Sequence, residues 1–289
     1  GHPRMWGYIT GSPNPIGALA DLIATTVNPN LAGWNGAPLA TEIETQTVSW
    51  IAELLGYPKT ASGIITSGGN MANFIGVLAA RKAMADWDIR NTGLNHRSMI
   101  IYASQETHAW IEKAADLFGF GTQSIHYIDT NVDKTMCPDN LVAQIKEDRA
   151  KNLYPFIVVG SAGTTSIGAI DPLPAIAKIC KVNKLWFHVD GCYGAPGILD
   201  QTAPQELLGM KLADSLAVDA HKWLYTALEA GCVLVKDQKY LIDAFATYPS
   251  YYSGKQIAHN NEVSDLYTMG PQNSRHFKAL KVWLTLQFI

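Results

Sequence analysis

Phe156-Ile-Val-Val-Gly160 and Leu185-Trp-Phe-His-Val189 decide the fold. Neither run alternates apolar with polar residues, which is the pattern of strands buried on both faces. The stretch between them, 172–183, has helical character and opens with a proline. Working outward, the same rhythm repeats. Strands are expected at 62–66, 98–103, 123–128, 156–161, 185–189, 215–218 and 232–235. Helices are expected at 71–86, 108–118, 138–152 and 172–183. Strand and helix alternating at this spacing argue for an α/β fold, with a mostly parallel seven-stranded sheet between helices. In such sheets ligands sit beyond the carboxyl ends of the strands, so the chemistry should lie in the loops that follow them.

The N-terminal side reads differently. Up to about residue 35 the chain is rich in Gly, Pro, Asn and Trp, with one helix over 16–26. A longer helix is expected over 39–55, with Thr41 and Glu44 as a capping box and Gly56 as its stop. The division is therefore an N-terminal segment, 1–38, and a large domain, 39–289. The last stretch, 278–289, is again helical in pattern.

Composition narrows the classes. Of 289 residues, 47% are hydrophobic and 16% charged, which excludes an intrinsically disordered chain. Lys+Arg 22 against Asp+Glu 25 gives a net charge of −3, so there is no basic footprint for nucleic acid. Apolar stretches are too short and too interrupted to span a bilayer, and no membrane partner is expected. The opening GHPRMWGYITGSPNP is not a secretory signal pattern. Four cysteines without a CxxC pair suggest a reducing, cytoplasmic setting. No metal-ligand spacing stands out.

Five strand-end constellations could carry chemistry. Thr66-Ser67-Gly68-Gly69-Asn70 runs from a strand into a helix, and free N–H groups there favour an anion such as phosphate. It also reads simply as a tight turn. It is neither a P-loop nor a GxGxxG fingerprint. His188-Val189-Asp190 ends a buried strand; Asp190 is either a turn residue or the partner of a cation or a protonated ring nitrogen. His221-Lys222-Trp223 follows an apolar strand; Lys222 is either solvent-facing or an amine nucleophile. His108 starts a helix as a cap or a site residue. Gly163-Thr164-Thr165 offers hydroxyls that cap a turn or face a ligand.

These elements lie along the chain in the order of one cofactor site. The segments TSGGNMANFIGVLAAR, SAGTTSIGAIDPL, LWFHVDGCYG and ADSLAVDAHKWLY resemble the group II pyridoxal-phosphate-dependent amino-acid decarboxylases, of fold type I. Among these the aromatic-L-amino-acid decarboxylases are the most similar, and HPRMWGY and NSRHFKALKVW extend the resemblance along the chain. The resemblance implies that Lys222 carries pyridoxal 5′-phosphate as a Schiff base and that Asp190 pairs with the pyridine nitrogen. It places His108 on the cofactor ring and Thr165 near the phenolic oxygen. Gly69 and Asn70 become phosphate donors, and His221 neighbours both phosphate and lysine. Tyr251, two residues after Pro249, corresponds to the loop tyrosine that returns a proton to the carbon once CO₂ has left. Phe at that place accompanies aldehyde formation in relatives, so Tyr251 implies plain decarboxylation.

The substrate implied is an aromatic L-amino acid of tyrosine, dopa or tryptophan type. Trp6, Tyr8, Trp34 and Tyr251 are compatible aromatic surroundings, and Ser274 stands where plant relatives carry Gly or Ser. Glutamate, diaminobutyrate or sulfinoalanine decarboxylase, aldehyde synthase, and a non-catalytic partner subunit are the alternatives. The family forms homodimers with the site at the interface. The chain departs from the family pattern at Cys192, usually Ala and packed on the ring; at Ala220, often Pro; and at Asn70-Met71, often Thr-Glu. The family's N-terminal helical arm and C-terminal small domain are expected to be missing.

Overall fold

The computed structural model describes residues 11–248 and 265–288, together with residues 2, 4, 8 and 9. Seven strands form one sheet: β1 (Ser62–Thr66), β2 (Met99–Ser104), β3 (Ile125–Ile128), β4 (Tyr154–Ser161), β5 (Trp186–Asp190), β6 (Ser215–Asp219) and β7 (Gly231–Val235). Their order is β1-β7-β6-β5-β4-β2-β3. β7 runs antiparallel to both of its neighbours, and the remaining pairs are parallel. Six strands therefore point the same way, and their carboxyl ends share one edge. The seven expected strands all form, and the near-continuous burial of β2, β4, β6 and β7 matches their unalternating sequence, whereas the edge strand β3 is buried only at its two ends.

The principal helices are α1 (Pro15–Val27), α2 (Pro38–Leu54), α3 (Gly69–Met84), the one-turn α4 (Ile89–Thr92), α5 (Trp110–Leu117), α6 (Pro138–Ala150), α7 (Leu173–Asn183), α8 (Lys239–Phe245) and α9 (Ala279–Phe288). α3 packs beneath β6 and β7 and touches α5 and α8; α6 and α7 pack on β4 and on each other. α1 lies against α9, which also meets α2. Asn14 caps α1 by accepting the Ile16 N–H at 3.1 Å, and Pro15 supplies a first-turn residue that needs no donor.

α2 corrects one expectation. It starts after Ala37, and no side chain caps it. Thr41 is already inside the helix, its hydroxyl donating to Ala37 O. Glu44 is buried and faces away from the helix start. Its Oε1 accepts from Ile65 N at 2.9 Å and from Arg275 Nη2, which also donates to Ile65 O at 2.9 Å. Ile65 belongs to β1, at the border of the sheet. The ion pair thus saturates main-chain groups that an edge strand otherwise leaves open. The stop at Gly56 holds: its φ is +63°, Gly56 N–H donates to Glu53 O and Tyr57 N–H to Ala52 O, the pair of bonds of a Schellman motif.

Candidate active site

Five loops leave the shared strand edge and enclose a cavity of about 330 Å³. Gly69 and Asn70 open α3, which follows β1, and His108 comes from the segment after β2. Thr165 follows β4; Asp190 and Cys192 end and follow β5; His221 and Lys222 follow β6. All these candidate residues line the one cavity. Tyr251, Pro249 and Trp6 lie outside the described residues. Two other expected aromatics stand elsewhere: Trp34 lines a separate cavity, donating from Nε1 to Glu42 at 2.8 Å, and Tyr8 is 88% exposed. Ser274 pairs with Asn30 and does not line the cavity.

The floor on one side is the amino end of α3. No acidic residue occupies its first turn, so its free N–H groups keep their affinity for an anion. Gly69 is required there: a Cβ would stand 2.6 Å from Cys192 Sγ and 2.7 Å from Asp219 Oδ2. The main chain can approach the strand ends this closely only without a side chain.

Asp190 is oriented by two bonds. Trp110 Nε1 donates to its Oδ2 at 2.7 Å, and Cys192 N–H donates to its Oδ1 at 3.1 Å. Behind it, His188 is fully buried in a chain of hydrogen bonds. Trp186 Nε1 donates to Ser215 Oγ at 2.8 Å; Ser215 Oγ lies 2.7 Å from His188 Nδ1; His188 Nε2 lies 2.7 Å from Asn73 Oδ1. Asn73 Nδ2 donates in turn to Cys192 Sγ at 3.6 Å. With the indole occupying the hydroxyl oxygen, the serine proton points to Nδ1 and the ring proton to Asn73. That is a neutral histidine, and burial pushes His188 down to about 4 despite nearby Asp190. Burial, with Asp190 and Asp219 adding to it, holds the Cys192 thiol well above its ordinary range, so it stays protonated.

Lys222 Nζ lies 2.9 Å from Asp219 Oδ2. Burial is the largest single influence and lowers the ammonium, but Asp219, with Cys192 and Asp190 adding to it, makes the net shift upward. His221 Nε2 is 3.7 Å from the same oxygen, while its Nδ1 faces Ala230 O at 3.1 Å. Burial lowers His221, Asp219 opposes, and the Lys222 charge lowers it further. His108 is exposed at the cavity and its Nδ1 accepts from Trp110 N–H at 3.2 Å, so α5 begins after it. Thr165 is exposed; its neighbour Thr164 is buried and closes the turn by accepting from Ala169 N–H.

Three site residues were not anticipated: Asp219, Trp110 and Asn73. Asp219 carried a signal, since it ends a buried strand just as Asp190 does. Trp110 and Asn73 read as ordinary helix positions.

A carboxylate, an amine and a helix-start anion cradle thus surround one cavity. The family model described as the pyridoxal-dependent decarboxylase conserved domain matches residues 1–289. The chain belongs to this family. An aromatic-L-amino-acid decarboxylase of Bacillus atrophaeus is 36% identical over 286 residues, covering 99% of this chain and 58% of that protein. The solved structure of mouse CSAD in apo form matches with a TM-score of 0.89 and 27% identity, over 100% of this chain and 60% of that one. That of Oryza sativa TDC with PLP and tryptamine matches with a TM-score of 0.88 and 29% identity, over 96% and 58%. This member of the pyridoxal-dependent decarboxylases thus spans a little under three fifths of the curated relatives it matches. The relatives' names include tyrosine, tryptophan and acidic amino acid decarboxylases and aldehyde synthases, so membership leaves the substrate open.

Proposed function

We propose that this protein binds pyridoxal 5′-phosphate and decarboxylates an aromatic L-amino acid, of tyrosine, dopa or tryptophan type, to its amine and CO₂. The observation that carries the reading is Lys222 and Asp190 facing one cavity floored by the amino end of α3. These residues suit the cofactor: an amine for its aldehyde, N–H donors for its phosphate, a carboxylate for its ring nitrogen. When bound, the cofactor supplies an electron sink for the pair of electrons left behind by CO₂.

The chain's own residues do the rest. Lys222 provides the amine. Asp190, fixed by Trp110 and the Cys192 N–H, presents a carboxylate to a protonated ring nitrogen. Gly69, Asn70 and His221 would hold the cofactor's phosphate, Thr165 would neighbour its phenolic oxygen, and His108 and Cys192 would pack against its ring. Cys192 is held by Asn73 and remains a neutral thiol, so it packs as a small apolar group. Tyr251 returns the proton to the substrate carbon; a phenol with an ordinary pKa near 10 is a weak acid, so its position must supply the advantage.

The aromatic substrate is supported by the relatives named for aromatic amino acids. A homodimer is supported by α1, whose Leu19, Leu22, Ile23 and Val27 form one exposed apolar stripe, and a site at its interface is what the family resemblance implies. A cytoplasmic setting is supported by four unpaired cysteines.

The test is product analysis of the chain supplied with pyridoxal phosphate and each common L-amino acid. Amine and CO₂ in equal amounts from an aromatic substrate are expected. Aldehyde with ammonia and peroxide would assign an aldehyde synthase instead. Amine from glutamate, diaminobutyrate or sulfinoalanine would move the substrate class. No product from any amino acid would favour a non-catalytic partner and overturn the reading.

A further inference from the structure

Asp219 and Lys222 close the turn that ends β6. Lys222 N–H donates to Asp219 O at 3.1 Å, and the side chains meet again at 2.9 Å. The main-chain bond fixes the spacing that the ion pair uses. The carboxylate side chain is only 4% exposed and the lysine 17%. Asp219 Oδ1 accepts no hydrogen bond among the described residues, and Oδ2 faces Lys222 Nζ at 2.9 Å, with His221 Nε2 farther off at 3.7 Å.

We propose that Asp219 is a positioning residue that holds the free Lys222 as an ammonium aimed into the cavity and sets the pH at which its amine becomes available. An ammonium has no lone pair, and only the deprotonated amine can attack an aldehyde. Burial favours the neutral amine, whereas an adjacent carboxylate favours the charged form. The two influences oppose each other, and Asp219 is the larger contributor on the charged side. Asp190 and Cys192, from the end of β5, act in the same direction more weakly or through a thiol that stays neutral. His221, beside both, is pushed towards its neutral form. The turn before α3 and the start of that helix contribute Ser67, Gly68, Gly69 and Asn70, none of them titratable. His108, across the cavity, is the remaining titratable group among its described lining residues, apart from Tyr193.

The inference rests on Lys222 being the amine that takes the cofactor, but its test does not need the loaded enzyme. The full chain, freed of cofactor, is trace-acetylated with acetic anhydride across the alkaline range. The Lys222 peptide is then followed by mass spectrometry, with exposed Lys59 as internal reference. In the wild type the midpoint for Lys222 should equal or exceed that of Lys59 despite burial. Asp219→Asn keeps the shape and removes the charge, leaving burial unopposed by this group. Its Lys222 midpoint should fall by about one pH unit or more, so that labelling below the midpoint runs about tenfold faster. Asp219→Glu should restore the high midpoint. An unmoved midpoint in Asp219→Asn overturns the proposal. So does a wild-type Lys222 midpoint below that of Lys59, which decides the matter even if the variant fails to fold. Borohydride trapping of added pyridoxal phosphate separates the two readings: an adduct on another lysine would refute the cofactor assignment and leave the labelling result standing.

Discussion

Two of the ion pairs among the described residues, Glu44–Arg275 and Asp219–Lys222, do opposite work. Glu44 and Arg275 meet at the border of the sheet, 1% and 4% exposed, and both are tied to the main chain of Ile65. Neither lines the cavity that Asp190 and Lys222 border. Asp219 and Lys222 meet at the carboxyl end of β6, and both line the site. The first pair is anchored by backbone bonds, so it holds α2, β1 and the segment before α9 in one arrangement. The second belongs to one tight turn, where Lys222 N–H also donates to Asp219 O, and it opens onto space where a ligand fits. A buried charge is costly in either place. At the edge the compensation is structural; in the cavity the charge remains available for chemistry.

The sharpest way to break this contrast is to remove one member of each pair. Lys222→Ala deletes the amine, and the borohydride-stable pyridoxal phosphate adduct should vanish completely. The protein should stay folded, because the carboxylate left without its partner borders the cavity rather than the closed core. A covalent adduct elsewhere in the chain would end the assignment of Lys222. Glu44→Ala should do the reverse. It strands Arg275 and the Ile65 N–H in the interior, at a cost of about 3–5 kcal/mol by the usual penalty for a broken buried pair. Urea unfolding measures that loss, while the molecules still folded should capture the cofactor as before. If the two variants lost stability equally, the distinction between them would fail.

Asp190→Asn sharpens the comparison within the site. An amide offers only one oxygen, so just one of Trp110 Nε1 and the Cys192 N–H can still donate to it, but the side-chain outline survives. The charge facing the ring nitrogen does not. Cofactor binding should persist while decarboxylation falls about a hundredfold or more, the scale of losing one strong electrostatic contact. Turnover near the wild-type rate would remove Asp190 from its proposed role.

The contrast also marks what can be read from sequence. Buried strands announce themselves by unalternating apolar runs, so all seven were in view, and with them the loops that carry Asp190 and Lys222. The reversed direction of β7 was not, because Cys232-Val-Leu-Val235 looks the same read either way. Thr41 and Glu44 fit a capping box locally, yet Glu44 serves Arg275, 231 positions away in sequence. Trp110 reaches Asp190 across 80 positions. Such partners are set by packing and leave no periodic trace. Asp219 was different: it stood in plain sight at a buried strand end, three residues before Lys222, and only the fold shows that the turn brings the two together.

The smallest expected effect concerns His188, which links the two kinds of environment. It belongs to the core by burial and to the site by its bond through Asn73 to Cys192. Its folded-state pKa, about 4, lies below the ordinary histidine value of 6.5. A group depressed on folding stabilises the native state above its unfolded pKa and gives that stability up as pH falls towards the folded value. The window is therefore pH 6.5 down to 4. Between neutral pH and pH 5 the contribution lost is about 2 kcal/mol, from the shift of roughly 2.5 units at 1.36 kcal/mol each, only part of it spent by pH 5. His188→Asn cannot titrate there. Its stability in urea should be lower than the wild type's at pH 7, because the ring's packing and bonds are gone, and the gap should narrow as pH falls. Ionisations shared by both proteins, such as that of buried Asp171, cancel in the difference. A gap that stayed constant between pH 7 and 5 would mean that His188 titrates alike in folded and unfolded chains, and the neutral hydrogen-bonded chain from Trp186 to Cys192 would then be wrongly drawn.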